Sequence, residues 1–374
     1  MVIPNQKSLF NIPDHVTFMN CANMSPLLKS VNEAGVYAIN QRNAPWTISV
    51  EQWFEPAEEL RLLFAKMINS NKENIALIPS ASYGLAIAKK NIHLNHLQNI
   101  IVLDQEFPSN MYVWRELSKE TGAKIITVKR KDTQTWTEAI LDKIDDKTGL
   151  VTIPNCHWTD GSIIDLVQVS DKIRKTNSKL VVDASQSLGV YPLDINEIKP
   201  DFLITVGYKW LLGPYGLGYL YSDEKYFADG KPIEYNWINK SGSEDFTRLV
   251  EYTDAYKPGA RRFDAGEFSS FIHIPMAKAA LTQILKWGIE NIQETLSILT
   301  NRIAIMAKER GFETTNNSRV GHIIGIKFSE SKAKEIGIKL TDNQIYISFR
   351  GTNMRIAPHL YNDSKDVNRL FQFL

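Results

Sequence analysis

Two side chains, Asp183 and Lys209, have the types and positions needed to hold an aromatic cofactor. Asp183 lies near the end of the short apolar run LVVDA (180–184), and Lys209 follows the run FLITV (202–206), so both are at places where a buried strand is expected to end. Ligands in open α/β sheets collect at the carboxyl ends of strands, so both side chains can reach one crevice. A carboxylate keeps a pyridine-type nitrogen protonated, and a lysine amine forms an imine with an aldehyde, so that the ring can accept electrons when a substrate bond breaks. Such a lysine must be partly desolvated, or lie beside another cation, to act as a nucleophile near neutral pH.

The elements that would position these side chains form a repeated pattern of strands and helices. Seven apolar runs of strand length fall between about residues 55 and 222: IALIP (75–79), IIVLD (100–104), KIITV (124–128), LVTIP (150–154), LVVDA (180–184), FLITV (202–206) and LGYLYS (217–222). Helical patterns such as WFEPAEELRLLFAKMI and QVSDKIRKTN separate most of them, which predicts a mostly parallel α/β sheet covered by helices. The last two runs are joined only by YKWLLGPYG, which is too short for a helical crossover, so they are expected to pair as antiparallel neighbours.

Beyond about residue 250 the pattern changes to a smaller α+β arrangement. One helical pattern begins after Pro275, a second runs through NRIAIMAKERG to Gly311, and a closing helix is expected in SKDVNRLFQFL. HIIGIKF, IYISFR and MRIAP are the strand candidates. These patterns predict a large α/β domain over residues 15–250 and a small α+β domain over 251–374, which also takes the N-terminal segment 1–14.

Composition argues against several classes of protein. The 43 Lys and Arg residues balance 42 Asp and Glu residues, and a net charge of +1 gives no reason to expect a nucleic-acid or membrane partner. No apolar run approaches the roughly 18 residues of a membrane span, and MVIPNQKSLFNIPDHV lacks the pattern of a secretion signal. Two distant cysteines and scattered histidines favour a cytoplasmic location and argue against a disulfide framework or a metal site.

The segment that contains both side chains resembles a known cofactor-binding signature. DASQSLGVYPLDINEIKPDFLITVGYKWLLGPYGLGYLY is similar to the lysine segment of class V aminotransferases, a group that includes cysteine desulfurases, kynureninase and isopenicillin N epimerase-like proteins of the fold-type I architecture. The resemblance continues through FMNCANMSPL, IPSASYGLA, DQEFPSNMYVW, NCHWTDGSIIDL, PGARRFDAGE and FRGTNMRIAPHLYN. It implies pyridoxal 5′-phosphate as cofactor, a small amino acid as substrate, a mostly parallel mixed seven-stranded sheet in the large domain, and a homodimer with the active site at the interface.

Taken position by position, the resemblance implies the main cofactor contacts. Lys209 would be the Schiff-base lysine, Asp183 the partner of the pyridine nitrogen, and Gln186 a hydrogen-bond partner of the 3-hydroxyl. Ala81 and Ser82, in the turn that opens a helix, match the family's phosphate loop. This agrees with electrostatics, because a helix amino end offers unpaired N–H groups and a positive dipole to a dianion.

Four further residues are implied as cofactor contacts. Phe107 corresponds to the aromatic residue that stacks on the pyridine ring in kynureninase, and Asn110 to a nearby polar contact. Tyr208 matches a kynureninase-like tyrosine that contacts the phosphate, where desulfurases have histidine. Trp237 is expected to reach the phosphate from a partner subunit.

The resemblance also implies which residues bind the substrate. Arg355 falls where the family binds the α-carboxylate, and its guanidinium can grip a carboxylate bidentately. Arg350 is the nearby competitor for this role. Trp158 and Thr159 lie on a loop that lines the substrate side in relatives, and the segment Asn20–Asn23 is a further candidate.

The sequence departs from the desulfurase pattern in its cysteines and in its phosphate contacts. Desulfurases need a mobile cysteine late in the chain, and no cysteine follows Cys156. Glu267 follows Gly266 where the family often has Thr or Asn as a phosphate contact from the partner, which leaves Ser269 or Ser270 as replacements. Val206 replaces a serine that contacts phosphate in desulfurases, so the phosphate site is expected to be closer to kynureninase-like relatives.

An aminotransferase is the expected function by family frequency. A C–S or C–C lyase and an amino-acid epimerase remain open, because all three use the same core residues. A non-catalytic cofactor-binding protein is the alternative from another class. A dinucleotide-binding oxidoreductase is disfavoured, because GPYGLG leads into a strand, whereas the dinucleotide fingerprint follows a strand and opens a helix.

Overall fold

The fold is built around a seven-stranded sheet in a computed structural model that describes residues 1–131, 133–315 and 318–374. The strands are β1 (Thr17–Phe18), β2 (Ile75–Ile78), β3 (Asn99–Leu103), β4 (Lys124–Val128), β5 (Thr148–Pro154), β6 (Lys179–Asp183), β7 (Phe202–Val206), β8 (Gly218–Ser222), β9 (Ile324–Lys327), β10 (Ile345–Tyr346), β11 (Ser348–Arg350) and β12 (Asn353–Ile356). The helices are α1 (Lys29–Gln41), α2 (Glu55–Met67), α3 (Ala81–Asn91), α4 (Ser109–Thr121), α5 (Trp136–Leu141), α6 (Leu166–Thr176), α7 (Ile195–Ile198), α8 (His273–Trp287), α9 (Ile289–Glu309), α10 (Glu330–Asp342) and α11 (Ser364–Phe371).

The large sheet has the strand order β2-β8-β7-β6-β5-β3-β4. The pairings β7–β6, β6–β5, β5–β3 and β3–β4 are parallel, while β8 runs antiparallel to both of its neighbours. The predictions of a mostly parallel mixed seven-stranded sheet, and of an antiparallel pairing between its last two runs, are therefore confirmed. All seven strands coincide with the seven apolar runs.

The strands are apolar on both faces because each face packs into its own core. On β7, Leu203 belongs to one buried cluster, whereas Phe202 and Ile204 belong to another. Side chains alternate across a strand, so a sheet covered on both faces needs continuous apolar runs. Some helices begin at a residue whose side chain accepts a hydrogen bond from the first unpaired backbone N–H groups of the helix. The Asp165 side chain caps α6 in this way, and Thr135 forms a capping box with Glu138 on α5.

The C-terminal part contains two differences from the sequence-based expectations. IYISFR divides into two strands that pair with different partners: β10 pairs with β1, whereas β11 joins a three-stranded sheet of order β11-β12-β9. The break between the long helices lies at Gly288, with φ of +79°, and α9 then continues without interruption to Glu309. The expected boundary before NRIAIMAKERG was wrong, because Gly288 adopts a backbone conformation that glycine tolerates best.

The N-terminal segment and the C-terminal strands share contacts. Gln6 N–H donates to Leu360 C=O (2.8 Å), and Met19 belongs to the buried cluster formed by α9 to α11 with β9, β10 and β12. The helix α8 packs against α1 and α2. The division into domains 15–250 and 251–374 with 1–14 stays a prediction. No helix in the described part of the chain is long and apolar enough to cross a membrane.

A buried ion pair fixes helix α2 to the segment that precedes α8. Arg61 and Asp264 form two hydrogen bonds, Nη1 to Oδ1 (2.9 Å) and Nη2 to Oδ2 (2.6 Å), and neither side chain is exposed to solvent. Arg61 also donates to Ile75 C=O, and Asp264 accepts from Leu77 N–H. This pair therefore joins α2, strand β2 and a distant loop at one point.

Asp264→Asn is expected to lower the free energy of unfolding by about 3–5 kcal/mol, because it removes the buried counter-charge of Arg61 and leaves only the partly exposed Glu58 carboxylate, which accepts from Arg61 Nε (3.1 Å). Urea unfolding of the variant and of the wild type gives this difference. The double variant Arg61→Met, Asp264→Leu is the control and should lose less, since it removes both charges together. A loss below about 0.5 kcal/mol in Asp264→Asn would contradict this account of the pair.

Candidate active site

A cavity of about 290 Å³ lies at the carboxyl ends of β6 and β7. Asp183 is the last residue of β6, and Lys209 follows the end of β7 by three residues. Both line this cavity, so the structure brings together the two residues singled out first in the sequence. The other lining residues are Pro79, Ser80, Ala81, Ser82, Glu106, Phe107, Ser109, Pro154, Cys156, Trp158, Ser185, Gln186, Val206, Tyr208, Tyr215 and Gly216.

Lys209 is buried, with 8 % of its surface exposed. Burial lowers the pKa of its amine to about 8, while the Asp183 carboxylate raises this pKa and the charges of Arg355 and Arg350 lower it. Its Nζ lies 5.4 Å from the centroid of the Phe107 ring. A substantial fraction of neutral amine is therefore present near neutral pH, as a nucleophilic lysine requires.

A second carboxyl group, that of Glu106, shares the cavity with Asp183. Burial raises the pKa of Glu106 to about 8, and the Asp183 charge raises it as well, against a hydrogen bond from Phe107 N–H (2.7 Å) that lowers it. The Asn110 side chain also lowers this pKa, although neither Asn110 Nδ2 nor Glu106 Oε2 has a hydrogen-bond partner of normal geometry. Glu106 is thus neutral at pH 7.

The predicted phosphate loop lies at the amino end of α3. Ala81 and Ser82 are the first two residues of this helix, and the Ser80 side chain caps it by accepting from Tyr83 N–H (3.2 Å). The first amides of a helix have no acceptor within it and can bind an anion. Val206 also lines the cavity, where it offers no polar contact.

Aromatic side chains form one wall of the cavity. Phe107 and Trp158 meet edge to face with ring centroids 5.4 Å apart, and Trp158 Nε1 donates to Gln105 C=O (2.7 Å). Tyr208 packs on Tyr215, with centroids 4.7 Å apart. Phe107, Trp158 and Tyr208 therefore all lie at the predicted site.

The Gln186 amide is held by buried neighbours on both sides. Its Oε1 accepts from Trp210 Nε1 (2.9 Å), and its Nε2 donates to Ala22 C=O (3.0 Å), which leaves one Nε2 hydrogen free. Its backbone carbonyl accepts from His322 Nε2 (2.7 Å), and burial lowers the pKa of His322 to about 3. The Nδ1 atom of neutral His322 can also accept a hydrogen bond from the Gln293 side-chain NH2 group (3.1 Å).

The two candidate carboxylate clamps both contact Trp158. Arg355 is 1 % exposed, and it donates from Nη1 to Trp158 C=O (2.9 Å) and from Nε to Ser348 Oγ (3.1 Å). Arg350 is half-buried and lies over the Trp158 ring, 5.4 Å from its centroid. Its Nη2 reaches Asn23 Oδ1 at 3.4 Å.

Several predicted site residues are not among the residues that line the cavity, and these include both candidate carboxylate clamps, Arg355 and Arg350. Asn110 is fully buried behind the wall, where its Oδ1 accepts from Trp114 Nε1 and Thr152 Oγ1. Thr159 is buried, and its Oγ1 forms a hydrogen bond with His157 Nδ1 (2.8 Å). Trp237 is 42 % exposed and packs with other aromatic rings on the surface. Asn23, which contacts Arg350, is likewise not among the lining residues.

Several lining residues were not identified as site residues from the sequence. Glu106 directly precedes Phe107 in DQEFPSN, and its position just after β3 is the signal that could have marked it. Ser185, which donates its backbone N–H to Asp183 Oδ1 (3.0 Å), lies in the same DASQ segment as Gln186. Cys156 and Tyr215 carry no comparable signal in the sequence.

Unpaired buried atoms show that the site fits a polar ligand. Glu106 Oε2, Ser185 Oγ and Arg355 Nη2 are buried without a hydrogen-bond partner. Buried polar atoms are normally paired, so these atoms indicate places for polar groups of a bound molecule. A carboxylate, a nucleophilic lysine and a helix amino end around one cavity match a phosphorylated pyridine aldehyde. In the described ranges there is no group of three or more His, Cys, Asp or Glu residues that could hold a metal ion.

Comparison with known proteins agrees with the fold and the site. The sequence profile described as aminotransferase class-V matches residues 45–370. The uncharacterised aminotransferase YcbU of Bacillus subtilis is 27 % identical over 314 residues, covering 84 % of this chain and 81 % of that protein. Kynureninase of Geobacillus thermodenitrificans is 24 % identical over 347 residues, covering 88 % and 79 %. The structure of a C-DES mutant with glycine covalently linked to its PLP cofactor superposes with a TM-score of 0.88 at 19 % identity, covering 98 % of both chains.

The fold and the site thus define a pyridoxal-phosphate-dependent enzyme with the fold-type I architecture. More narrowly, the chain belongs to the class-V aminotransferase family. The roles of the individual site residues remain predictions that rest on the geometry described above.

Uptake of pyridoxal phosphate by the cofactor-free protein is expected to accelerate with rising pH, with a midpoint near the Lys209 pKa of about 8. Only the neutral amine can attack the aldehyde, which gives this direction. Stopped-flow absorbance at several pH values measures the rate, and Lys209→Ala is the control that should not form the coloured adduct. A midpoint near the ordinary lysine pKa of 10.5 would contradict the proposed desolvation.

Glu106→Gln should make the cofactor-free protein more stable than the wild type at alkaline pH. The folded protein holds the Glu106 proton up to about pH 8, whereas the unfolded chain releases it near 4.5, so wild-type stability falls as pH rises between these values. Gln is uncharged and lacks this penalty. Thermal unfolding at pH 5, 7 and 9 should show a difference between variant and wild type that grows with pH; a constant difference would argue against the raised pKa.

Proposed function

We propose that the protein is an aminotransferase that attaches pyridoxal phosphate to Lys209 and acts on a small amino acid. The carrying observation is that a buried lysine amine with a lowered pKa and a strand-end carboxylate line one cavity. The family to which the chain belongs supports the same reaction class.

Each side of the cavity has a proposed task in holding the cofactor. When bound, pyridoxal phosphate supplies an aldehyde that captures amines and a ring that stores electrons. Asp183 would keep the ring nitrogen protonated, and the amides of Ala81 and Ser82 would bind the phosphate. Phe107 would lie against the ring, and Gln186 would use its free Nε2 hydrogen on the 3-hydroxyl.

The substrate would be oriented by Arg355 and deprotonated by Lys209. The buried Arg355 Nη2 has no partner and is suited to the α-carboxylate. With its amine free and uncharged, Lys209 Nζ would take the proton from the substrate Cα. The aromatic wall of Phe107 and Trp158 would keep water away from Lys209 Nζ. Both tasks require a buried lysine whose amine is partly uncharged near neutral pH.

A homodimer is also part of the proposal, and an exposed aromatic patch supports it. Trp53, Trp237 and Phe246 form mutual ring contacts, and Trp237 and Phe246 are exposed at the surface. Soluble monomers seldom expose large contiguous apolar patches. We propose that a second copy covers this patch and that Trp237 then reaches the partner's phosphate site. The cytoplasmic location expected from the sequence is retained as part of the proposal.

Lys209→Ala is expected to lower turnover at least about 100-fold, since it removes both the attachment point and the base. Turnover is measured by mass analysis of the products formed from amino acids supplied with a 2-oxo acid. Lys66→Ala, which removes an exposed lysine of α2, is the matched control and should retain activity. Wild-type rates in Lys209→Ala would refute its assigned role.

The same product analysis separates the aminotransferase from a lyase. Transfer moves the amino nitrogen from the donor to the added oxo acid without releasing ammonia, which an isotopically labelled amino group can follow. A C–S or C–C lyase would instead split the substrate side chain and need no acceptor. Side-chain cleavage independent of the oxo acid would replace the proposal with a lyase.

A further inference from the structure

Two arginines share one face of the β11–β12 hairpin. In this antiparallel pair Ser348 lies opposite Arg355, and Arg350 lies opposite Asn353. Residues directly opposite each other share a face, as do residues two apart on a strand, so Arg350 and Arg355 are diagonal neighbours. Such neighbours are roughly 7–8 Å apart. The hairpin therefore presents two guanidinium groups to the same side.

That side lies next to the cavity, because both arginines contact Trp158, although neither is among the lining residues. Trp158, a cavity-lining residue, accepts a hydrogen bond at its carbonyl from Arg355 and has Arg350 over its ring. The positive charges of Arg355 and Arg350 lower the pKa of Lys209, although burial is the main cause. Arg355 lies deep, and Arg350 is the more exposed of the two.

Neither arginine has an acidic partner within the described ranges. The ion pairs found there, with N–O distances up to 4.0 Å, leave out both residues. Arg350 donates only to its neighbour's carbonyl at Phe349 and, at 3.4 Å, to the Asn23 amide oxygen. Burial, together with the nearby charge of Arg350, lowers the pKa of Arg355 to about 9. Two adjacent cations without counter-charges are costly unless anions bind them.

A carboxylate that binds Arg355 bidentately would leave Arg350 without an anion. We infer that the substrate is an amino acid with a second anionic group, whose α-carboxylate binds Arg355 and whose side-chain carboxylate or sulfinate binds Arg350. Aspartate, glutamate and cysteine sulfinate have this chemistry. Arg350 thereby determines specificity, because Trp158 holds its guanidinium at the cavity edge. The inference rests on the proposed function, since it names the substrate class of the same site.

The test uses spectral titration of the holoenzyme, which reports binding without turnover. L-aspartate, L-glutamate and L-cysteine sulfinate are compared with L-asparagine and L-glutamine, which match the first two in size but lack the charge. The acidic amino acids are expected to bind at least about 10-fold more tightly. Comparing the three acids shows whether a carboxylate or a sulfinate, and which chain length, suits Arg350.

Arg350→Gln should weaken the acidic amino acids about 10- to 100-fold and leave glutamine and asparagine unchanged. Arg355→Gln should weaken both classes. Arg115→Gln, an exposed arginine on α4, is the control and should change nothing. Succinate and glutarate, tested as competitors against butyrate, give a second measurement that needs no amino group: Arg350→Gln should lose the preference for the dicarboxylates.

The possible failures are distinguishable. If no amino acid alters the spectrum of a holoenzyme whose cofactor is attached, the proposed function is overturned and this inference with it. If glutamine binds the wild type as tightly as glutamate, or if Arg350→Gln weakens both equally, only the second anionic contact is overturned. In that case the aminotransferase proposal stands.

Discussion

The site depends on keeping a lysine amine inside the protein next to a carboxylate. Burial of Lys209 disfavours its charge, while Asp183 favours it, and the balance leaves the amine with a pKa of about 8. A fully exposed lysine would be almost entirely protonated at neutral pH, and a lysine paired directly with an acid would be more so. The cavity at the ends of β6 and β7 therefore has to hold these two side chains close together without joining them in an ion pair.

The surrounding polar groups are fixed from behind the cavity wall. Trp210 and the Ala22 carbonyl orient the Gln186 amide, and His322 binds the same residue's backbone. These partners are buried and neutral, so they restrict motion without adding charge near the cofactor position. A site assembled on strand ends and supported by such hydrogen bonds is preorganised. Two residues with an unpaired buried oxygen, Glu106 (Oε2) and Ser185 (Oγ), are among the residues that line the cavity.

Charge is unevenly distributed around this site. Lys209, Arg350 and Arg355 are basic, whereas Asp183 and Glu106 are the carboxyl groups of the cavity lining, and burial raises the pKa of Glu106 to about 8. The protein as a whole is almost uncharged, with a net charge of +1. The excess of positive charge is thus local, and it accounts for anionic ligands at the site while the rest of the surface stays balanced.

The sequence by itself determined the large sheet, because strands buried on both faces must be continuous apolar runs, and strand-end positions then marked Asp183 and Lys209. Resemblance supplied Gln186, Phe107 and the helix start at Ala81, which all line the cavity. Tertiary structure alone decided the rest. The raised pKa of Glu106 depends on burial by segments that are distant in the chain. The shared face of Arg350 and Arg355 depends on the register of the β11–β12 hairpin, in which β11 is the second of the two strands formed by IYISFR. Residue spacing alone encodes neither property: the first arises from contacts between residues far apart in the chain, and the second from the register in which β11 pairs with β12.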